Sequence, residues 1–325
     1  MFDLEVISPV LLWTAIAIYA AAFIAFAFDL ARRSQISADA QTVREAELVG
    51  AGARGGVTLT ATGKPIEPKP QRFVMARIGT SLTVLAFIFH LGATLTRGFA
   101  AGRVPWANLY EFAMIGTLLI IAVYLIVLVK VDLRFLGTFI TGLVVVLLGL
   151  SSTNFYVEVT PLMDPLKSVW LVIHVFVASL ATAFFALAFA LSVIQLMQSR
   201  RERLVSEGAE KTGPGFLRTF PSAERLESMA YRFTIIGFIL WTFTLIAGSI
   251  WAYYAWSRFW GFDVKETWTF VIWVIYAGYI HARATRGWRG NPSAWLAIVG
   301  FSAVIFNFTI VNVFFKGLHA YSGLS

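Results

Sequence analysis

The chain has 325 residues, of which 58% are hydrophobic and only 14% are charged, and its mean hydropathy is +0.74. These values exclude an ordinary soluble domain, because such domains carry about 25% charged residues. The sequence contains no cysteine, which excludes disulfides, thiol exchange and iron–sulfur ligation within the chain.

Eight stretches are apolar and long enough to cross a membrane. A spanning helix needs about 20 mostly apolar residues, because its backbone polar groups must be satisfied within the segment. We expect spans near 8–29, 74–97, 109–129, 135–152, 168–198, 231–251, 266–283 and 294–315. All ten prolines lie in connections or at span ends, where a missing backbone donor does least harm. The predicted fold class is an all-α polytopic membrane protein with about eight transmembrane helices.

The basic residues predict the orientation of these spans. Most of the 26 Lys and Arg residues fall in the connections on one side. The exceptions are Arg97, Arg103, Lys167, Arg258, Lys265 and Lys316. Because cytoplasmic loops attract Lys and Arg, we expect the chain to be N-out and C-out. Topology thus explains the net charge of +8, and we expect no nucleic-acid partner.

Two polar connections interrupt the apolar pattern, at 30–73 and 199–230. Neither is long enough to bury a core of its own. The glycine run at 50–56 and the proline-containing stretch at 64–70 are typical of a flexible linker. We therefore divide the chain into residues 1–73, a first transmembrane helix plus a flexible cytoplasmic linker, and residues 74–325, a membrane domain.

Residues 251–268 form an unusually aromatic connection between the sixth and seventh spans. Four of the eleven tryptophans fall here and, besides Glu266, three charged side chains. These residues are Trp251, Trp256, Trp260, Trp268, Arg258, Asp263 and Lys265. An interfacial belt also collects Trp and Tyr at headgroup level, so both a belt and a platform for a large flat ligand remain open. By the predicted topology the connection is extracytoplasmic.

Three of the four histidines, His90, His174 and His281, fall in spans. A neutral imidazole bonded to a neighbouring helix is as plausible for each as a functional group. At 1.5 Å per residue, His174 lies within about 10 Å of the outer face, and His319 follows the last span at that face. Two imidazoles beside a Trp-rich surface suit bis-histidine ligation of haem, with Arg or Lys meeting the propionates.

His281 lies near the cytoplasmic face by the same count and cannot share a haem with His174 or His319. Either a partner protein supplies its second ligand or His281 is structural. For His90 we expect a structural or route-lining role.

Residues 251–281 resemble the WWD haem-handling signature of cytochrome c biogenesis proteins. The residues that carry the resemblance are Trp251, Trp256, Trp260, Asp263, the run Lys265-Glu266-Thr267-Trp268, and His281. More narrowly, the pattern is similar to the CcsA type, called CcsB or ResC in many bacteria, of the System II pathway. The stretches 103–112, 168–174, 311–312 and 317–321 extend the likeness over most of residues 75–325.

The resemblance implies roles for three histidines. It assigns haem ligation at the extracytoplasmic face to His174 and His319, and a haem entry site to His281, whose second ligand comes from a CcsB/ResB-type subunit. The chain departs from the family pattern at Ser257, where Gly is usual, and at Phe262 and Val264, where Trp and Pro are usual. Phe262 keeps an apolar ring but lacks the indole donor.

The resemblance further implies cytochrome c maturation in a bacterial plasma (inner) membrane. Haem b, as transported substrate or bound ligand, enters near His281 and is held by His174 and His319. The tryptophans, with Arg258 and Asp263, surround it. Apocytochrome c then offers its Cys-x-x-Cys-His segment to the vinyl groups, so a chain without cysteine is chemically coherent.

The chain is then expected to be a subunit of a cytochrome c synthase complex, with a CcsB/ResB-type subunit, apocytochrome c and thiol-reducing proteins as partners. No side chain is an evident general acid or nucleophile. Three alternatives stay open at this point. They are a CcmC-like haem-delivery protein, a haem channel without ligation activity, and a structural membrane scaffold.

Overall fold

The computed structural model describes residues 4–51, 73–162, 164–209, 211–285, 287–315 and 317–318. Every regular element in these ranges is helical, which confirms the all-α prediction. The helices are α1 (Leu4–Ala51), α2 (Val74–Ala101), α3 (Leu109–Leu128), α4 (Gly137–Asn154), α5 (Val169–Ser206), α6 (Ala223–Trp256), α7 (Val264–Thr285), α8 (Asn291–Phe308) and α9 (Ile310–Phe314). Short 3-10 turns lie at Arg134–Leu136, Asp164–Lys167 and Gly215–Thr219.

Among the described residues, seven helical segments are long and apolar enough to cross a membrane. They comprise α1 to α6 and the α8–α9 pair, and they match seven of the eight predicted spans. The remaining prediction, 266–283, corresponds to α7, whose Thr, Trp, Tyr and His residues lower its hydropathy. The polytopic membrane prediction is confirmed.

Helix α7 nevertheless runs the full length of the bundle, antiparallel to α6 and α8. At its start, the Lys265 amine donates to the side chain of Asn312 in α9. At its end, Arg283 Nε donates to Glu227 Oε1 near the start of α6, at 3.1 Å. Glu227 Oε2 also accepts from Gly290 N beside the start of α8, at 2.9 Å. We call the end that carries residues 251–263 the aromatic end, and the end that carries Glu227 the opposite end.

Helix α1 packs mainly on α2 and α4. Its contact face repeats every seven residues through Leu12, Tyr19 and Phe26, which are all but fully buried. Gly79 and Gly137 lie against the Phe26 ring, so α2 and α4 approach α1 closely there. Helix α1 continues to Ala51, well past the expected end of the first span at 29. The glycine- and proline-rich part of the expected linker, within 52–72, lies outside the described residues.

A buried ionic cluster holds the connections at the aromatic end. The Glu111 carboxylate, fully buried at the start of α3, accepts from Arg97 Nε at 2.9 Å and Arg103 Nη1 at 2.7 Å. Arg97 Nη2 also donates to Val157 O at 2.6 Å. One carboxylate thus joins the end of α2, the 102–108 connection and the start of α3, and Arg97 adds the 155–162 connection.

We expect Glu111→Gln to lower the free energy of unfolding by about 3–5 kcal/mol, because it leaves two buried guanidinium groups without an anion. Thermal unfolding of the detergent-purified protein measures the effect. The matched control is Glu207→Gln, which breaks the exposed Arg203–Glu207 pair with an N–O distance of 3.8 Å. That change should cost about 0.5 kcal/mol or less. Equal shifts in the two variants would contradict the structural role of Glu111.

Candidate functional site

His174 lies in the second turn of α5, at the aromatic end. The helix begins at the N-cap Ser168, whose side chain accepts from Trp170 N at 3.2 Å. His174 Nδ1 is 2.9 Å from the carbonyl oxygen of Thr244 in α6. A carbonyl oxygen can only accept, so Nδ1 carries the proton and Nε2 carries the lone pair. Metal-ligating histidines are commonly oriented in this way, by a backbone acceptor on the other ring nitrogen.

The imidazole of His174 is held closely by α6. A Cβ built on Gly248 would lie 2.7 Å from His174 Cε1, so glycine is required for this approach. The Trp251 ring stacks on the imidazole with centroids 5.9 Å apart and planes 18° from parallel. Trp256 meets Trp251 edge-on at 4.8 Å. Both tryptophans belong to the last turns of α6, and Trp251 is only 2% exposed.

Three cavities adjoin His174, and Lys265 lines all of them. The first, about 120 Å³, descends between α3, α5, α6 and α8 and is mostly apolar. The second, about 80 Å³, is bounded by Trp251 and Trp260, and the third, about 90 Å³, by Trp106 and Trp251. Each is smaller than the roughly 300–1,000 Å³ of a typical ligand pocket. A ligand the size of a macrocycle would need more than one of them.

The non-helical part of the aromatic connection is only residues 257–263. Ser257 ends α6 with φ of 56°, and Phe262 has φ of 57°, both in the left-handed region. Glycine reaches this region without the steric cost that other residues meet. The left-handed backbone at 257 explains why the family pattern has Gly at this position. Ser257 adopts the same conformation at a steric cost.

Glu266 organises this connection, and the sequence analysis gave it no role. Its carboxylate accepts from Gly261 N at 2.8 Å and from Asp263 N at 3.2 Å. Asp263 Oδ2 in turn accepts from Lys265 N at 3.4 Å. Asp263 and Glu266 thus form the reciprocal capping pair of α7, and their three-residue spacing is the sequence signal that identifies it. Arg258 Nη1 lies 3.9 Å from Glu266 Oε2.

The aromatic connection is tied to the C-terminal segment. Asp263 Oδ1 accepts from Leu318 N at 3.0 Å. A Cβ on Gly317 would overlap the same oxygen, so any other residue there would displace the Asp263 carboxylate. The bond from Lys265 to Asn312 is the second tie. His319 follows Leu318 in the chain but lies outside the described residues, so its own position is not described.

Three predicted residues lie away from the His174 cavities. Trp268 packs on Phe306 of α8, with ring centroids 4.5 Å apart. His281 is exposed on α7 at the opposite end. His90 is fully buried in α2, with Nδ1 3.5 Å from the hydroxyl of Tyr19. The structure therefore gathers His174, Trp251, Trp256, Trp260, Arg258 and Asp263 at the aromatic end and separates His281 and His90 from them.

Comparisons with known proteins all point to cytochrome c biogenesis proteins. The family model described as Cytochrome C assembly protein matches residues 106–319. The cytochrome c biogenesis protein CcsA of Guillardia theta is 32% identical over 262 residues, covering 76% of this chain and 86% of that protein. CcsA of Synechococcus elongatus is 31% identical over 282 residues, covering 75% and 87%. CcsA of Prochlorococcus marinus is 37% identical over 177 residues, covering 49% and 56%.

A solved structure, the cytochrome c haem lyase CcmF, shares the fold. The superposition has a TM-score of 0.60 and covers 95% of this chain. This chain spans 47% of the CcmF chain, at 15% sequence identity. At that identity the likeness concerns the fold alone.

The left-handed Ser257 leads to a prediction about stability. We expect Ser257→Gly to raise the free energy of unfolding by about 1 kcal/mol, because glycine removes the steric cost of the positive φ. Thermal unfolding measures the change. Ser249→Gly, inside α6, is the matched control and should lower stability by about 0.5–1 kcal/mol. A fall in stability for Ser257→Gly would mean that its left-handed conformation carries no strain.

Proposed function

This chain belongs to the cytochrome c assembly protein family, and we propose that, within cytochrome c maturation, it holds haem at the aromatic end and presents it to apocytochrome c. The haem is b-type, with intact vinyl groups. Each cysteine thiol of the Cys-x-x-Cys-His segment adds across one vinyl group, its sulfur bonding to one carbon and its proton going to the other. The cysteines belong to the apocytochrome, since this chain has none.

The orientation of His174 carries the proposal. Its Nδ1–H donates to Thr244 O at 2.9 Å, which makes Nε2 the nitrogen that can bind iron. The stacked Trp251 and the close approach at Gly248 hold the ring plane. Around it, Trp251, Trp256 and Trp260 supply the apolar cover that keeps water from a haem.

His319 is the second axial ligand in this proposal. Support comes from the residue before it, because Leu318 N donates to Asp263 Oδ1 beside the aromatic connection. Gly317 permits that contact. The side chain of Asp263 therefore acts on the chain segment that carries His319, and we assign it a positioning role.

His281 marks the proposed entry site at the opposite end. Its side chain is exposed on α7, and a Cβ on nearby Gly278 would meet nothing within 4 Å, so there is room for a flat ring beside it. A CcsB/ResB-type subunit supplies the second ligand there. Thiol-reducing proteins keep the apocytochrome cysteines reduced.

The proposed setting is a bacterial plasma membrane, with the chain N-out and C-out. The aromatic end then faces the extracytoplasmic space and the opposite end the cytoplasm, as the distribution of Lys and Arg indicates. The proposed haem-handling domain is 74–325, and the family match at 106–319 falls wholly inside it. Residues 1–73 supply the first helix and the linker.

The proposal is tested by His174→Ala. We expect the purified wild-type protein to give a pyridine haemochrome spectrum, and the variant to lose most of that haem and its support of cytochrome c maturation. Added imidazole should restore the axial-ligand spectrum, because it supplies the missing nitrogen. Trp295→Ala, which removes an exposed ring on α8, is the control and should keep its haem.

Other outcomes separate the alternatives. Unchanged maturation in a His174→Ala, His319→Ala double variant would favour a structural scaffold. Bound haem without thioether formation, in the presence of the partner subunit and reduced apocytochrome, would favour a haem-delivery protein or a channel.

The positioning role of Asp263 is tested by Asp263→Ser. Serine caps a helix about as well as aspartate, but its shorter side chain cannot reach Leu318 N. We expect the variant to lose the same haem signal as His319→Ala, and the double variant to lose no more than His319→Ala alone. Asp132→Ser, at an exposed carboxylate on the 129–133 connection, is the control. Additive losses would contradict this role.

A further inference from the structure

Arg258 and Lys265 are both basic residues of the aromatic connection that could meet a carboxylate of the ligand, and Arg258 has a carboxylate near it within the protein. Its Nη1 lies 3.9 Å from Glu266 Oε2. Its guanidinium also lies over the Trp256 ring, 5.9 Å from the centroid. Arg258 therefore lies close to an anion of the connection, although Nη1 makes no hydrogen bond there.

Lys265 is placed differently. It lines all three cavities that adjoin His174, whereas Arg258 lines none of them. It lies one residue past the start of α7, between the His174 cavities and α9, and it is half-buried. A cation removed from water is costly unless an anion or several hydrogen bonds compensate it.

The compensation that Lys265 finds within the described residues is incomplete. Its ammonium has three donors, and the Asn312 side-chain oxygen, a neutral acceptor, is its hydrogen-bond partner there. Lys265 forms no ion pair with a described residue. The charge of Asp263 acts on it from nearby, but the Asp263 oxygens accept the backbone N–H groups of Lys265 and Leu318.

From this geometry we infer that Lys265 binds a carboxylate of the ligand held at His174, and that Arg258 does not. The inference rests on the proposed function and deepens it, because a haem presents two propionates. Bonding to a propionate supplies the anion that Lys265 lacks. It also fixes the rotation of the macrocycle about the His174 axis, and so decides which edge carries the vinyl groups toward the apocytochrome.

A comparison of haemin with haemin dimethyl ester, whose two carboxylates are masked, tests the inference. Each is titrated into the haem-depleted full-length protein in detergent and followed by its absorption spectrum. We expect Lys265→Met to weaken haemin binding about tenfold to one hundredfold, the range for loss of one charged hydrogen bond. The same variant should bind the ester within about twofold of wild type. Lys265→Arg should retain most of the haemin affinity, since it keeps the charge.

Two further variants test whether the effect belongs to the charge of Lys265. Arg258→Met removes the other cation and should change the affinities for haemin and for the ester by the same small factor. Asn312→Ala removes the neutral partner of Lys265 but leaves its charge, so the preference for haemin over the ester should persist even if Lys265→Met folds poorly.

The inference is overturned if Lys265→Met weakens both ligands equally, or if Arg258→Met alone abolishes the preference for haemin. A wild-type protein that binds neither ligand would instead refute the proposed haem site itself.

Discussion

Charged side chains within this helix bundle need partners supplied by the protein itself, because lipid offers none. Two buried carboxylates meet this requirement at opposite ends. Glu227 accepts from Arg283, from the backbone beside α8 and from the hydroxyl of Ser293. Glu111 accepts from two arginines and from Ala107 N. These contacts fix where the helix ends meet, and so they fix the frame in which every other side chain is placed.

Helix α7 depends most on this frame. Among the long helices that the structure describes, it alone lacks a segment apolar enough to count as a membrane span, and it is held at one end through Arg283 and at the other through its capping pair and Lys265. Because these contacts hold both ends of α7, the aromatic connection that precedes it is set against α6 and the C-terminal segment. This placement brings the tryptophans beside His174 and allows Asp263 to accept from Leu318 N.

Some features followed from the sequence because they depend on local pattern. The apolar stretches identified the helices, including α7 at 266–283, although its Trp, Tyr and His residues interrupt the apolar pattern. The motif between Trp251 and His281 indicated the family, which the comparisons confirm. The spacing of Asp263 and Glu266 contained a capping pair, although the sequence analysis assigned no role to Glu266.

Other features could not be inferred because they depend on helices far apart in the chain. The Thr244 carbonyl that orients His174 is 70 residues away, and no local signal links the two. The same holds for Gly248, whose missing Cβ admits the imidazole, and for the Glu266 carboxylate that lies 3.9 Å from Arg258 Nη1. In the sequence, Arg258 and Lys265 are two basic residues of one connection. Only their surroundings in the folded protein show that their roles differ.

The sequence by itself determined that this is a helical membrane protein of the cytochrome c assembly family with an aromatic connection. Both conclusions depend on the identity of residues that are close together in the chain. Tertiary structure alone decided the tautomer of His174, the contact of Asp263 with Leu318 and the place of Lys265 among the three cavities. Each of these is a distance between atoms on different helices, and such distances are set by how the helices pack.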